Sequence, residues 1–487
     1  MKQWFYSGML ILCILASASA ASATEVKMTG DARIHPTYFA KQNFTGWDAS
    51  ATRTSDVFAI WERFRLRTDF IANEGLKFRL GVRVTNKVWG NNTFTVDNPV
   101  PVIDVYQAYL QFFWPGTAVE FSIGQQDLDL PLSAPMLCSN PVLGGSRGPG
   151  AFVTVPLLDD SLKAVAGFMR PVDSNRDFDP TTRQVPDEID AYFLALPITL
   201  EGFAATPWGM LGVVGRNADF STAFGGAGAN QTAGSNLVSA GSGLPGGVAG
   251  VGANWADPQN AYFWVGTTLA VTALDPFKFY GDIVYGRGAS SDRARNRRAG
   301  LFADAAMEYT GLSWVTPQLT FWYATGEDGS TRNGSERLPV LVGAWGPGNS
   351  FLWDCSQAYN RGFMGVNYLG GWGFVATLEN MTFVPDLSHR LTFTFEQGTN
   401  SAQAIRAGNL AWGYGNYFQM GRDLAASETV LAVNLDTQYD IYKNLALILE
   451  TGWAHGNFDR SVWGSRLVNQ AASGDAWKLS LGVQYKF

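Results

Sequence analysis

The chain has 487 residues, a formal net charge of −7 and 14% aromatic residues. This acidic balance excludes a generic nucleic-acid-binding protein, which is normally basic, so no nucleic-acid partner is expected. Beyond the first 23 residues, no stretch approaches the ~18 consecutive apolar residues of a membrane-spanning helix. Period-2 alternation dominates instead, which leaves a large soluble β protein or a transmembrane β-barrel.

The first 23 residues have the pattern of a secretory signal peptide. Lys2 supplies a positive start, residues 9–15 are apolar, and small residues follow at 18–20 and 21–23. Signal peptidase requires this arrangement, so we expect cleavage after Ala23. The prediction is therefore a signal peptide at 1–23 and one transmembrane β-barrel domain at 24–487.

Two consecutive segments, 57–73 and 76–87, predict a long β-hairpin with one apolar and one basic face. Asn73-Glu74-Gly75 forms a tight turn between them. Each segment exceeds the usual ~5–6 residues of a strand and reaches the ~9–11 residues that cross a bilayer. The basic face carries Arg63, Arg65, Arg67, Lys77, Arg79 and Arg83.

The energetics of burial in lipid orient this hairpin. A basic residue at the bilayer midplane costs roughly 2–4 kcal/mol, so a row of them must face a wet lumen. Glu62 and Thr68 interrupt the apolar face, which indicates a subunit interface or a β-bulge at that point.

Alternation of this kind continues to the last residue and predicts an all-β fold, a transmembrane antiparallel β-barrel of 18 strands with long extracellular loops. The segments 149–157 and 188–198 are weak, so 16 strands is the alternative. Short connections at one end should be periplasmic. The candidate strands are 25–40, 56–73, 75–89, 101–114, 117–126, 149–157, 160–170, 188–198, 203–216, 260–273, 276–288, 299–311, 316–325, 371–383, 388–398, 427–441, 445–457 and 475–487.

Counting from the N-terminus, the third extracellular loop is 127–149, and an inward fold of this loop would narrow the lumen. Asp127 and Asp129 would then lie opposite the basic wall, and the transverse field would orient dipolar solutes and set ion preference. The alternative is that the arginines pair locally with Glu120 and Asp69 and only hold the wall together.

Two cysteines, Cys138 and Cys355, follow the signal peptide, both in loop-like sequence. A secreted context permits a disulfide between them. The sequence leaves open whether they are paired.

The last strand alternates apolar and polar residues and ends on an aromatic pair, Tyr485 and Phe487. A terminal amphipathic strand of this kind resembles the signal read by the outer-membrane barrel assembly machinery. We therefore expect that machinery, outer-membrane lipid and lipopolysaccharide as partners.

Three motifs and the terminal strand resemble the outer-membrane homotrimeric porins of sulfate-reducing bacteria, within the general porin superfamily. The resemblance implies a homotrimer in the outer membrane of a Gram-negative bacterium and passive diffusion of small hydrophilic solutes and ions. It also implies that the third extracellular loop, 127–149, folds inward. The motifs are Gly124-Gln125-Gln126-Asp127-Leu128-Asp129-Leu130-Pro131, Tyr323-Ala324-Thr325-Gly326-Glu327-Asp328-Gly329 and Gln438-Tyr439-Asp440-Ile441-Tyr442-Lys443-Asn444.

The sequence also bears on functions other than that of a general porin. The histidines His35, His389 and His455 fall on three separate strands, and no base lies beside a nucleophile, so no enzyme, cofactor or metal is predicted. A substrate-specific channel for anions or sugars could use the basic row as a ladder. A structural envelope barrel would have a lumen packed by side chains or loops.

Overall fold

Nineteen β-strand segments follow one another around a closed antiparallel sheet. In a computed structural model, the described residues are 24–41, 44, 56–88, 103–144, 147–159, 161–173, 186–215, 257–288, 297–330, 333–341, 345–348, 350–353, 366–408, 418, 420–472 and 475–487. The segments are β1 (Glu25–Ala40), β2 (Val57–Asn73), β3 (Leu76–Val88), β4 (Ile103–Phe113), β5 (Glu120–Asp127), β6 (Arg147–Leu158), β7 (Leu162–Asp173), β8 (Glu188–Ala195), β9 (Ile198–Leu200), β10 (Phe203–Gly215), β11 (Gln259–Val271), β12 (Phe277–Gly288), β13 (Arg298–Tyr309), β14 (Thr316–Ala324), β15 (Gly371–Val384), β16 (Leu387–Gly398), β17 (Thr429–Tyr442), β18 (Leu445–Asn457) and β19 (Ala476–Lys486).

The barrel has 18 strands, as predicted, because β8 and β9 are two parts of one interrupted strand. Both parts pair with β7 and β10. Pro197 lies at the interruption and has no backbone N–H to donate to the ladder. The two segments that looked weak in the sequence are thus real strands, and the 16-strand alternative is wrong.

Apolar side chains cover the outside of the barrel, and polar side chains face its interior on strands such as β19. On β19, Lys478 and Ser480 are buried while Trp477, Leu479 and Leu481 are exposed. A soluble β protein would bury the apolar face. The inverted distribution is that of a barrel whose outer surface contacts lipid.

Connections are short at one end of the barrel and long at the other. The turns after β2, β6, β15 and β17 are among the short ones, and the N-terminal end of β1 lies at the same end. Short turns are periplasmic in transmembrane barrels, and we name the ends accordingly. The long loops used below are loop 3 (128–146), loop 7 (325–370), loop 8 (399–428) and loop 9 (458–475).

The C-terminal residue closes the barrel against β1. Gly30 and Phe487 exchange two backbone hydrogen bonds, Gly30 N to Phe487 O at 2.8 Å and Phe487 N to Gly30 O at 3.1 Å. The Phe487 ring lies over Gly30 and stacks on Phe64, with centroids 6.1 Å apart. A Cβ at Gly30 would come within 2.5 Å of that ring, so the absence of a side chain there permits the closure. The assembly role expected for Tyr485 and Phe487 stays a prediction.

The irregularity expected around Glu62 is a β-bulge. Pairing between β2 and β3 shifts register between Glu62 and Phe64, which is how one extra residue is accommodated in an antiparallel ladder. Thr68 lies on the outward face and is buried. A subunit contact at this position stays a prediction.

Helices are few and short, and they lie in the extracellular loops: α1 (Ala402–Gly408), α2 (Arg460–Trp463) and α3 (Ser465–Ala472). No helix in the described part of the chain is long and apolar enough to cross a membrane. The predicted signal peptide, 1–23, lies outside the described residues.

Candidate functional site

The interior face of β1 and β2 holds a cluster of arginines around one carboxylate. The register pairs Arg33 with Arg63 and Asp31 with Arg65. Asp31 accepts from Arg63 Nη2 at 2.9 Å and Arg65 Nε at 2.6 Å, and Arg33 Nε lies 3.3 Å from it. Three guanidinium groups thus share one carboxylate, which leaves this stretch of wall positively charged.

The next strand extends this basic wall. Arg79 makes a bidentate pair with Asp69, at 2.6 and 2.7 Å, and its guanidinium lies 5.9 Å from the Tyr109 ring centroid. Arg83 pairs with Asp104 at 3.1 Å. Bidentate pairs hold the guanidinium in a fixed orientation, so these side chains are preorganised along the wall.

A tyrosine lies between two of the arginines because β4 contains a bulge. The ladder pairs Gly81 with Gln107 but Val82 with Val105, so Tyr106 is the extra residue. The Arg83 and Arg147 guanidiniums lie 5.6 and 5.1 Å from its ring centroid. These are distances at which cations are attracted to an aromatic face.

Solvent reaches inward side chains on β2 and β3 but not an inward ion pair on β18 and β19, of which β19 adjoins β1. Side chains of Arg65, Arg79 and Arg83 are 27%, 24% and 34% exposed. The inward ion pair of Lys478 and Glu450, by contrast, is 1% and 0% exposed. All five side chains point into the barrel, so among these described residues the solvent-accessible lumen runs along β2 and β3 and not along β18 and β19.

The predicted site residues divide into three groups. Arg63, Arg65, Arg79 and Arg83 face the lumen and pair with carboxylates of the same wall, as the local-pairing alternative expects for Asp69. Two further basic residues, Arg67 and Lys77, lie at inward positions nearer the periplasmic end. Of these, Arg67 is exposed.

The two acids expected across the lumen lie elsewhere. Asp127 is the last residue of β5, where it pairs with Arg147 of β6 at 2.6 Å and accepts from Gln107 at 2.8 Å. It therefore belongs to the basic wall and does not oppose it, because β5 continues through the residue at which the sequence suggested a loop. Asp129 is exposed at the start of loop 3.

Loop 3 folds inward as predicted, but it does so as one half of a two-loop structure. Leu137 and Pro347 form an isolated antiparallel bridge between loops 3 and 7. Cys138 N donates to Gly346 O at 3.0 Å, and Leu341 N donates to the carbonyl of residue 142 at 2.9 Å. Cys138 is disulfide-bonded. Cys355 lies outside the described residues, so their pairing stays a prediction.

An aromatic core fastens the two loops to the wall formed by β11–β16. Trp345 of loop 7 packs on Phe302, Trp322 and Tyr368, with ring centroids 5.0, 5.6 and 5.5 Å away. Trp264 of β11 donates from Nε1 to Pro339 O at 2.7 Å. These rings are almost completely buried, so the extracellular half of this side of the lumen is filled.

Wall carboxylates bind both loops at their inner edge. Asp282 of β12 accepts from the backbone N and the hydroxyl of Ser133 in loop 3. Its register partner on β13, Asp304, accepts from Trp345 Nε1 at 3.0 Å. Buried carboxylates with such donors are satisfied, so this pair positions loops 3 and 7 together.

A second contact joins loop 7 to the wall near the barrel seam. Ser350 donates its hydroxyl to Asp436 at 2.6 Å, and its carbonyl accepts from Lys478 Nζ at 2.6 Å. Lys478 also pairs with Glu450 at 2.8 Å, and Asp436 pairs with Arg390 at 3.0 Å. Ser350 of loop 7 thus lies between two buried ion pairs.

Loops 8 and 9 are joined through one buried glutamate. Glu428 accepts from Ala425 N at 2.8 Å within loop 8. From loop 9 it accepts from Asp459 N at 2.8 Å and Trp463 Nε1 at 2.7 Å. Burial raises the pKa of Glu428 to about 7, in spite of these hydrogen bonds.

Sequence reasoning missed several residues of this site. Asp31 and Arg33 alternate on β1 in the same way as the arginines of β2, so that signal was present. Tyr106 gave no such signal in the sequence, because the β-bulge decides which way its side chain points. Among the described residues, no group of three or more His, Cys, Asp and Glu side chains is arranged to hold a metal ion.

The fold is similar to those of solved bacterial barrels. OccK11 (OpdR) of Pseudomonas aeruginosa matches with a TM-score of 0.51 at 11% identity, over 95% of this chain and 96% of that one. OccAB2 of Acinetobacter baumannii matches with a TM-score of 0.51 at 12% identity, over 96% and 99%. No family model matches the sequence, and no curated relative does. At these identities the likeness shows the fold alone.

Proposed function

We propose that this protein is an outer-membrane porin, a water-filled channel for passive diffusion of small hydrophilic solutes and ions. The observation that carries the proposal is the difference in solvent exposure between inward-facing side chains. Arg65, Arg79 and Arg83 of β2 and β3 are inside the barrel and yet a quarter to a third exposed. A strip of charged, hydrated wall inside an apolar cylinder is what a diffusion pathway requires.

The outer surface supports a location in the outer membrane. Large apolar side chains such as Phe263, Phe321, Leu481 and Val483 are exposed on the outside of the strands. Exposed apolar area of this extent is unfavourable in water, whereas in a bilayer it contacts acyl chains. Outer membranes of Gram-negative bacteria hold barrels of this class.

The charge of the pathway favours anions. Asp31 faces three arginines, and Arg67 and Lys77 add positive charge below them. Asp127 was expected to offset this positive charge from across the lumen, but it is paired with Arg147 within the same wall. We therefore expect anions to permeate faster than cations of the same size.

A second candidate, an anion-specific channel, is favoured by the paired geometry of the arginines. Arg83 and Arg147 flank Tyr106, and a carboxylate or phosphate could pass between such groups by exchanging partners. A structural barrel is less well supported, because the described loops pack the lumen on the β11–β16 side and leave the basic wall solvent-accessible. Three pores per complex are expected if the chain assembles as the predicted homotrimer.

The test is single-channel conductance in planar bilayers, followed by the reversal potential in a salt gradient. The variant is Arg65→Ser combined with Arg79→Ser, and the matched control is Lys443→Ser, which removes a positive charge at an exposed periplasmic turn. We expect conductance steps in threes, and a several-fold fall in the anion-to-cation permeability ratio of the double variant alone.

The outcomes separate the candidates. Conductance that saturates with one anion supports the specific channel, whereas linear conductance supports the general pore. An unchanged reversal potential in the double variant would remove the basic wall from the pathway. A folded barrel without conductance would leave the structural envelope barrel as the remaining candidate.

A further inference from the structure

A cavity of about 390 Å³ lies at the extracellular end of β18, beneath loop 9. Its volume falls within the range of about 300–1,000 Å³ that small-molecule sites occupy. Polar side chains line its mouth, and two buried apolar side chains form its floor. They are His455, Asn457, Asp459 and Arg460 at the mouth, and Phe458 and Val468 at the floor.

The cavity opens beside the outer surface of the barrel, directly above an aromatic girdle. His455 and Asn457 are exposed and alternate with buried residues along β18, so they lie on its outward face. Trp453, two residues towards the membrane, packs on Trp477 of β19 with centroids 6.4 Å apart. Aromatic residues of such girdles lie at the level of lipid headgroups.

The polar groups at the mouth are held in place by their neighbours. Asp475 accepts from His455 Nδ1 and from Trp453 Nε1, both at 2.7 Å. His455 therefore presents its other ring nitrogen, Nε2, to the cavity side. Asp459 accepts from Ser461 N at 2.8 Å and Ser427 Oγ at 3.0 Å, so its charge is engaged by donors of the loop.

One basic side chain lines this rim and two others lie near it. Arg460 is exposed at the mouth. Arg406 of α1 and Lys41 after β1 lie close enough for their charges to act on Asp459 and Asp475. Guanidinium groups bind phosphate in a planar, bidentate manner, while an amide and an imidazole suit sugar hydroxyls. The apolar floor suits the C–H face of a sugar ring.

We propose that this cavity binds the phosphorylated sugar headgroup of an outer-leaflet glycolipid. Arg460 contacts the phosphate, Asn457 and His455 Nε2 contact hydroxyls, and the acyl chains descend over Trp453 and Trp477. The inference rests on the proposed outer-membrane location and is independent of whether the barrel conducts.

Native mass spectrometry of the purified barrel, titrated with lipid A, tests this site. Arg460→Gln should weaken binding about tenfold, since a charge-assisted hydrogen bond is lost. Asn457→Trp should weaken it by filling the mouth without changing charge. The matched control is Arg287→Gln, which alters another exposed, outward-facing arginine at the extracellular end of β12.

Two competitor arms identify the ligand. Lipid A treated with phosphatase should bind more weakly, and inorganic phosphate should not displace the lipid. Equal binding by wild type and Arg460→Gln would overturn the proposal, as would an equal loss in Arg287→Gln, because attraction would then be diffuse. Conductance of the same samples reports the proposed pore separately, so failure of one does not imply failure of the other.

Discussion

The two sides of the lumen are built from the same kind of strand but differ in what covers them. Along β1–β3 the inward residues are largely arginines and aspartates, and Arg65 and Arg83 remain open to solvent. Along β11–β16 they include Trp264, Phe302 and Trp322, which are buried beneath loops 3 and 7. In the proposed pore, the first wall would therefore contact solutes, while the second positions loops 3 and 7.

The difference shows how a barrel can narrow its lumen without closing it. Aromatic packing and wall carboxylates hold the loops to one side, where each buried ring contributes to a core such as a soluble protein has. The charged wall could not hold them in this way, because burying its arginines would require a partner for every charge. Four substitutions test this division.

The largest effect is expected at the seam that joins the two walls. Gly30→Val would place a side chain within the Phe487 ring and against the backbone of β2. We expect most of the protein to fail to form a closed barrel, seen as loss of the folded band in unheated gel electrophoresis. Gly209→Val is the control, since a Cβ there meets only Trp264 O at 3.6 Å. A normal folded band for Gly30→Val would show that the seam tolerates a side chain.

The loop-covered wall should depend most on Trp345. Trp345→Ala removes contacts with four other rings and the hydrogen bond to Asp304, and large-to-small core substitutions of aromatics cost about 3–5 kcal/mol. We expect loop 7 to leave the wall and conductance to rise and fluctuate. Trp477→Ala, on the outer surface, should leave conductance unchanged. Wild-type conductance in Trp345→Ala would mean that loop 7 does not limit the pore.

The contact between loops 8 and 9 should depend on pH through Glu428. Its pKa is raised from 4.5 to about 7 in the folded protein. The contribution of the protonated side chain to stability is therefore fully present below pH 4.5 and is lost as pH rises through 7. This difference between the two pKa values corresponds to about 3 kcal/mol of stability. Hydrogen exchange of residues 425–428 and 459–463, corrected for intrinsic rates, should therefore show less protection at pH 8 than at pH 5. Glu428→Gln should abolish this dependence, and its persistence would assign the effect to another group.

The smallest effect is expected at the inner edge of loop 3. Ser133→Ala removes the hydroxyl that donates to Asp282 at 2.6 Å but keeps the backbone donor, so we expect a loss of about 1.5 kcal/mol in loop docking. Limited proteolysis within loop 3 should become faster by roughly tenfold at that cost. Ser139→Ala, in the same loop, removes only a hydrogen bond to a neighbouring carbonyl and serves as the control. Equal proteolysis rates for both variants would show that Asp282 does not hold loop 3 to the wall.

Much of the barrel could be predicted because alternation is a local property. The run from Phe58 to Phe70 indicates both a strand and the face it turns to lipid, and the short turn at 73–75 indicates its partner. The same reasoning placed Arg63 and Arg79 inside the barrel. It failed for Asp127, because the end of a strand is less regular than its middle, and for Tyr106, because a bulge reverses the alternation.

The sequence by itself determined the class of fold and which face of the regular strands lines the lumen, since period 2 along a strand needs no knowledge of distant residues. Only the tertiary structure decided how that lining is used. The bridge between Leu137 and Pro347 joins residues 210 positions apart, and Trp345 reaches Asp304 from a loop whose local pattern predicts no regular structure. Such contacts depend on the closed barrel bringing loops 3 and 7 to the same wall, and it is this closure that leaves the arginines of β1–β6 in contact with water.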